Sequence, residues 1–88
     1  MARRPGNNSS KAFGKRVRAL RLKLGSLSQE DLADKAQLHR TFLGRVERGE
    51  TNITLSNILR ISGALGVTLS EFFEGFEDVL KEEHTKVS

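Results

Sequence analysis

Along this chain the apolar residues recur with the spacing of helices, and no segment alternates with a period of two for long. Phe13, Val17, Leu20 and Leu24 fall at i, i+4, i+7 and i+11, one stripe on a helix predicted over about 11–24. Gly25 stands where that helix should stop. Lys15, Arg16, Arg18 and Lys23 occupy its opposite side. Downstream, one local device recurs. A capping candidate is preceded by an apolar residue and followed four positions later by another, the spacing of a hydrophobic staple. The sets are Leu27-Ser28-Leu32, Leu38-His39-Leu43, Ile53-Thr54-Ile58 and Val67-Thr68-Phe72. They predict helices over about 28–36, 39–47, 54–65 and 68–74. Asp31 and Glu71 add the acid of a capping box, and Gly49 and Gly66 should end the third and fourth helices. His39 is the odd cap, because imidazole is not among the preferred N-cap side chains. The pattern therefore predicts an all-α fold, five helices around one core. Phe76, Val79 and Leu80 suggest another helical turn or two beyond it.

Eighty-eight residues suffice for one domain. Residues 1–10 read as a flexible basic arm, 11–74 as the domain and 75–88 as a short extension. There is no cysteine, hence no disulfide framework and no thiolate metal site. No apolar run approaches the roughly 20 residues of a membrane helix, and the first ten residues lack the apolar core of a secretory signal. A cytoplasmic location is expected. His39 and His84 have no paired ligand or nucleophile, and no glycine loop resembles a phosphate cradle. Neither catalysis, nor a metal, nor a cofactor, nor a small-molecule ligand is expected.

Charge distribution sharpens the picture. Residues 1–25 carry eight Lys or Arg and no acid, whereas residues 71–88 carry six acids against Lys81 and Lys86. A basic front suggests an anionic partner, nucleic acid being the commonest soluble one, although a solvated helix face would look similar. Two short helices joined by a few residues form a helix-turn-helix. Ala33 is the small residue where they would touch. If Leu43 and Val46 face inward, Arg40, Thr41, Gly44, Arg45 and Arg48 fall on or near the outer face of the second helix. A major groove about 12 Å wide admits one helix, whose N-terminal side chains meet base edges. Arginine can fork onto one guanine, and threonine offers a hydroxyl and a methyl. Arg40, Thr41 and Arg45 are thus candidate base readers, with Gly44 letting the backbone approach the duplex.

The stretches "LSQEDLA", "RTFLGRVERG" and "LSNILRISGALGV" together resemble the Cro/lambda-repressor type, or Xre-like, helix-turn-helix family over about 13–73. The "HRTF" and "ERGETNIT" segments are also similar to the controller proteins of restriction–modification systems. That resemblance implies a lambda-repressor-like fold and sequence-specific regulation of transcription on double-stranded DNA, the helix at about 39–47 lying in the major groove. It places Gln29, Arg48 and Asn52 at backbone phosphates, and it makes Arg21 and Glu47 a buried structural salt bridge. Two departures stand out: Gln37 where the family favours a turn glycine, and Ser26 as an extra residue before the second helix.

Arg3 and Arg4 of the arm could follow the minor groove, as basic arms can. One helix reads few base pairs, so a homodimer on a pseudo-palindromic operator is expected. Phe72, Phe73, Phe76, Val79 and Leu80 exceed what a five-helix monomer needs and are the candidate interface. The rival arrangement folds this apolar tail back over its own core. Two other functional readings compete: an antitoxin or adaptor whose helix-turn-helix also grips a partner protein, and a membrane-surface module built on the basic first helix.

Overall fold

A computed structural model of the chain describes residues 8–76. Those residues hold five helices and no strand: α1 (Asn8–Lys23), α2 (Gln29–Ala36), α3 (Arg40–Glu47), α4 (Leu55–Leu65) and α5 (Leu69–Phe72). Every cap inferred from the staples is in place. Ser28 Oγ accepts from the Asp31 N–H at 3.0 Å, Thr54 Oγ1 from Asn57 N–H at 3.2 Å, and Thr68 Oγ1 from Glu71 N–H at 3.1 Å. Glu71 also accepts from the Thr68 N–H at 2.8 Å, closing the box reciprocally. His39 caps α3 through Nδ1, at a longer 3.3 Å from the Thr41 N–H.

The helix stops also follow from side-chain freedom. Gly49 and Gly66 take positive φ and let Glu50 N–H and Val67 N–H reach back to the carbonyls of Arg45 and Ser62. At the end of α2 a non-glycine does the same work. Gln37 sits at φ 59°, ψ 44°, and Leu38 N–H bonds Ala33 O at 2.9 Å. That conformation crowds a Cβ, so the turn of the motif is held against a penalty of about 1 kcal/mol. Ser26 is absorbed in the same way, at φ 53° after Gly25. The loop then closes with Leu27 N–H on Arg21 O at 3.2 Å.

The core takes Phe13, Val17 and Leu20 from α1, Leu32, Ala33 and Ala36 from α2, Leu43 and Val46 from α3, Ile61 and Leu65 from α4, and Phe72 from α5. Helix α1 lies on α3, and α2 lies on α4. The α1–α3 crossing is close because Gly14 has no side chain; a Cβ there would overlap the Val46 and Glu47 carbonyls.

Several expectations need correction. The arm does not extend to residue 10, since Asn8, Ser9 and Ser10 form the first turn of α1. No apolar residue marks that turn; it is tied down instead by Ser10 Oγ donating to Asn52 Oδ1 at 2.9 Å. Leu24, counted in the core stripe, is exposed because the chain turns away after Lys23. Arg16, assigned to the solvent side, donates to the carbonyls of Glu71 and Phe72, both at 2.7 Å, and so caps the end of α5. Phe72 cannot serve an interface: it is fully buried within one chain, its ring 5.1 Å from Phe13. Phe73 and Phe76 are half-buried on the same aromatic cluster, with ring separations of 5.0 Å for Phe72–Phe73 and 5.2 Å for Phe73–Phe76. These three phenylalanines fold back over their own core, because Phe13 offers them apolar area that solvent cannot. Arg3, Arg4, Val79 and Leu80 lie outside the described residues.

Candidate nucleic-acid interface

Helix α3 divides cleanly. At 100° per residue, Arg40, Gly44, Arg48, Thr41 and Arg45 share an arc of about 140°, and Phe42, Leu43, Val46 and Glu47 share the rest. Leu43, Val46 and Glu47 are buried and Phe42 is half-buried, which fixes the roll of the helix. Arg40, Thr41, Arg45 and Arg48 are exposed side by side. Gly44 shares the arc but not the exposure, which corrects its expected approach to the duplex. It is buried under the Arg48 guanidinium, and a Cβ there would meet Arg48 Nη1 at 3.3 Å and Gln29 Oε1 at 3.7 Å.

Beneath this surface lies a buried network. Arg21 grips Glu47 with two parallel bonds, Nε to Oε2 at 2.7 Å and Nη2 to Oε1 at 2.9 Å. The third nitrogen, Nη1, donates to Leu27 O at 2.8 Å, just before α2 begins. Gln29 Nε2 donates to Glu47 Oε1 at 2.9 Å. Thus α1 and α2 converge on one carboxylate of α3, and Arg21 ties the loop before α2 to the same joint. Among the described residues no buried side-chain nitrogen or oxygen lacks a partner. A buried bidentate charge pair is a rigid joint, since breaking one half would leave a charge stranded.

The exposed arginines are held more lightly. Arg40 Nη1 lies 3.7 Å from Glu30 Oε1 on α2, and Arg48 Nε lies 3.0 Å from Glu50 Oε2. The hydrogen bond from Arg48 holds the Glu50 carboxyl below the usual carboxylate range. Arg45 is exposed and forms no ion pair among the described residues. Asn52 gives its carbonyl oxygen to Ser10, so its amide N–H groups stay available. Gln29 is similar: one amide hydrogen serves Glu47 and the other does not.

The charge pattern alone did not reveal Glu30 and Glu50 as holders of the arginines, because both look like ordinary solvated acids. Gly14 did carry a signal. An isolated glycine inside a helical stripe costs ~1 kcal/mol against alanine and so points to a packing reason.

The geometry is matched by likeness to known proteins. The helix-turn-helix family profile matches residues 17–72. The chain belongs to the helix-turn-helix family. Within that family it is 49% identical over 61 residues to the control protein C.BamHI of Bacillus amyloliquefaciens, covering 69% of this chain and 75% of that protein. It superposes on the restriction–modification controller protein C.AhdI of Aeromonas hydrophila with a TM-score of 0.72 and 43% identity, covering 76% of this chain and all of the other. The controller protein C.Esp1396I, solved as a tetramer with its natural 35-base-pair operator, matches with a TM-score of 0.70 and 31% identity over 84% of this chain and 92% of the other. In this helix-turn-helix protein the second helix of the motif is therefore α3. Among the described residues no helix is long and apolar enough to cross a membrane.

Proposed function

We infer that this chain is a sequence-specific, double-stranded-DNA-binding regulator of transcription, with α3 as the helix that enters the major groove. The observation that carries this is the outer arc of α3: Arg40, Thr41, Arg45 and Arg48 exposed together on a helix whose roll is locked from beneath. Arg40, Thr41 and Arg45 read bases. Arg48, the free amide hydrogen of Gln29 and the amide of Asn52 meet flanking phosphates. Such contacts position the protein without carrying sequence information. The work is binding rather than catalysis, and its place is the cytoplasm.

The regulator acts as a homodimer on a pseudo-palindromic operator. Phe72 is consumed by the core, but among the described residues α4 and α5 offer further apolar surface for pairing. Leu55 and Leu59, one turn apart on α4, are 67% and 48% exposed, and Leu69 at the start of α5 is 41% exposed. Two copies joined through such a patch form an isologous interface, and two α3 helices would then reach half-sites about 34 Å apart.

Selection of bound sequences from a random DNA pool at fixed salt tests both statements. The expected product is an enriched site with inverted half-sites one helical turn apart. A pool that stays random, with only salt-sensitive general affinity, would sink the reading. Sedimentation of Leu59→Glu beside the wild type isolates the dimer: the variant should be monomeric and lose cooperative operator binding.

A further inference from the structure

The cap of α3 differs from the others. In this chain α2, α4 and α5 start on Ser28, Thr54 and Thr68, hydroxyls that satisfy one backbone N–H and extend no farther. Only the helix with the arginine arc starts on a histidine, and its capping bond is the longest of the four at 3.3 Å. By stability alone, serine or threonine would serve better there. What histidine adds is reach and a second nitrogen.

The hydrogen bond assigns that nitrogen its role. Nδ1 accepts from the Thr41 N–H, so in the neutral ring the proton resides on Nε2. His39 is exposed, and the next two residues along the chain are Arg40 and Thr41. The N-terminal residues of a helix in the major groove are those that meet base edges. We propose that His39 is a DNA-contacting residue, its Nε2–H donating to an acceptor of the duplex while Nδ1 caps the helix. The acceptor is either a base-edge atom or a phosphate oxygen, both of which take one N–H. The cap makes the contact specific in geometry, because it fixes both the tautomer and the ring's place on the helix end. This assignment rests on the regulator reading above.

Two substitutions separate the cap from the contact. His39→Ser keeps an N-cap acceptor but has nothing that reaches beyond the helix end. Its Tm should match or exceed the wild type while operator affinity falls roughly two- to tenfold, the worth of one hydrogen bond. His39→Gln places an amide N–H near the former Nε2 but is a poor cap. Its Tm should fall while affinity stays closer to the wild type. Both proteins are measured on the selected site and on random DNA of equal length. A loss confined to the selected site identifies a base-edge acceptor, and an equal loss on both identifies a phosphate oxygen. His39→Ser binding both DNAs as tightly as a wild type that prefers its site would overturn the role of His39 and leave the regulator reading standing. A wild type that binds no DNA at all would overturn both.

Discussion

Two kinds of arginine–glutamate pair sit within a few residues of each other, and they do opposite things. Arg21 and Glu47 are buried and bidentate, with further bonds to Leu27 O and from Gln29. Arg48–Glu50 and Arg40–Glu30 are exposed and held by one contact each. Burial decides the difference. In a dry site a lone charge is costly, so the partners cannot separate; in water each partner is solvated anyway, so separation is nearly free. The buried pair is therefore a joint, and the exposed pairs leave their arginines free to exchange partners.

Breaking the joint should have the largest effect. Glu47→Ala strands the Arg21 guanidinium among apolar neighbours and should destabilise the fold by roughly 3–5 kcal/mol. For a domain of this size that lowers Tm by on the order of 12 °C or more, checked by thermal unfolding followed by circular dichroism. Gly14→Ala attacks the same crossing from the other side, since its methyl would push α1 off the Val46 and Glu47 carbonyls. If Glu47→Ala melts within a few degrees of the wild type, the joint does not hold the frame.

Next in size is a change that leaves the frame alone. Arg45 is exposed, so Arg45→Ala should leave Tm unchanged. On the selected operator it should weaken binding by about 1–3 kcal/mol and relax preference at one base position. Titration by fluorescence anisotropy on operator and random DNA separates the possibilities. Equal losses on both would demote Arg45 to a phosphate contact.

The contrast also explains what could be read from the chain. Caps and staples are local, so Ser28, Thr54 and Thr68 located three helix starts to within a residue. The outward arginines followed from Leu43 and Val46 facing inward. Where a side chain's fate depends on a distant element, the pattern was silent or misleading. Phe72 reads both as the staple partner of Val67 and as surplus, because nothing local shows that Phe13, 59 residues earlier in sequence, will pack on it. Arg16 looked solvated because its acceptors are the last carbonyls of α5. Gly44 sat on the correct arc by angle alone, but periodicity cannot see that Arg48 lies across it.

Smaller effects should come from the holders. Glu30 lies 3.7 Å from Arg40 on the face that would approach phosphates. Glu30→Gln removes both a competitor for Arg40 and a negative charge. Operator affinity should rise by roughly a fewfold at low salt and converge on the wild type as salt screens the charge. A salt-independent gain would mean that Glu30 acts by shape rather than by charge.

The smallest effect belongs to Glu50, and it sets the comparison in terms of protons. The bond from Arg48 lowers the folded-state pKa of Glu50 below its ordinary value. A depressed carboxylate pKa contributes stability above the unfolded value, and that contribution disappears as pH falls through the folded value. Acidification should therefore release Arg48 late, below the range where ordinary glutamates titrate. Because both groups are solvent-exposed, the loss should barely move Tm, unlike the loss of Glu47. Following the Glu50 side-chain carboxyl by NMR against pH tests this directly. Its midpoint should lie below the usual range of about 4.3 in the wild type and return towards it in Arg48→Ala. Identical midpoints in the two proteins would show that the exposed pair is not held in solution, leaving Arg48 free before any DNA arrives.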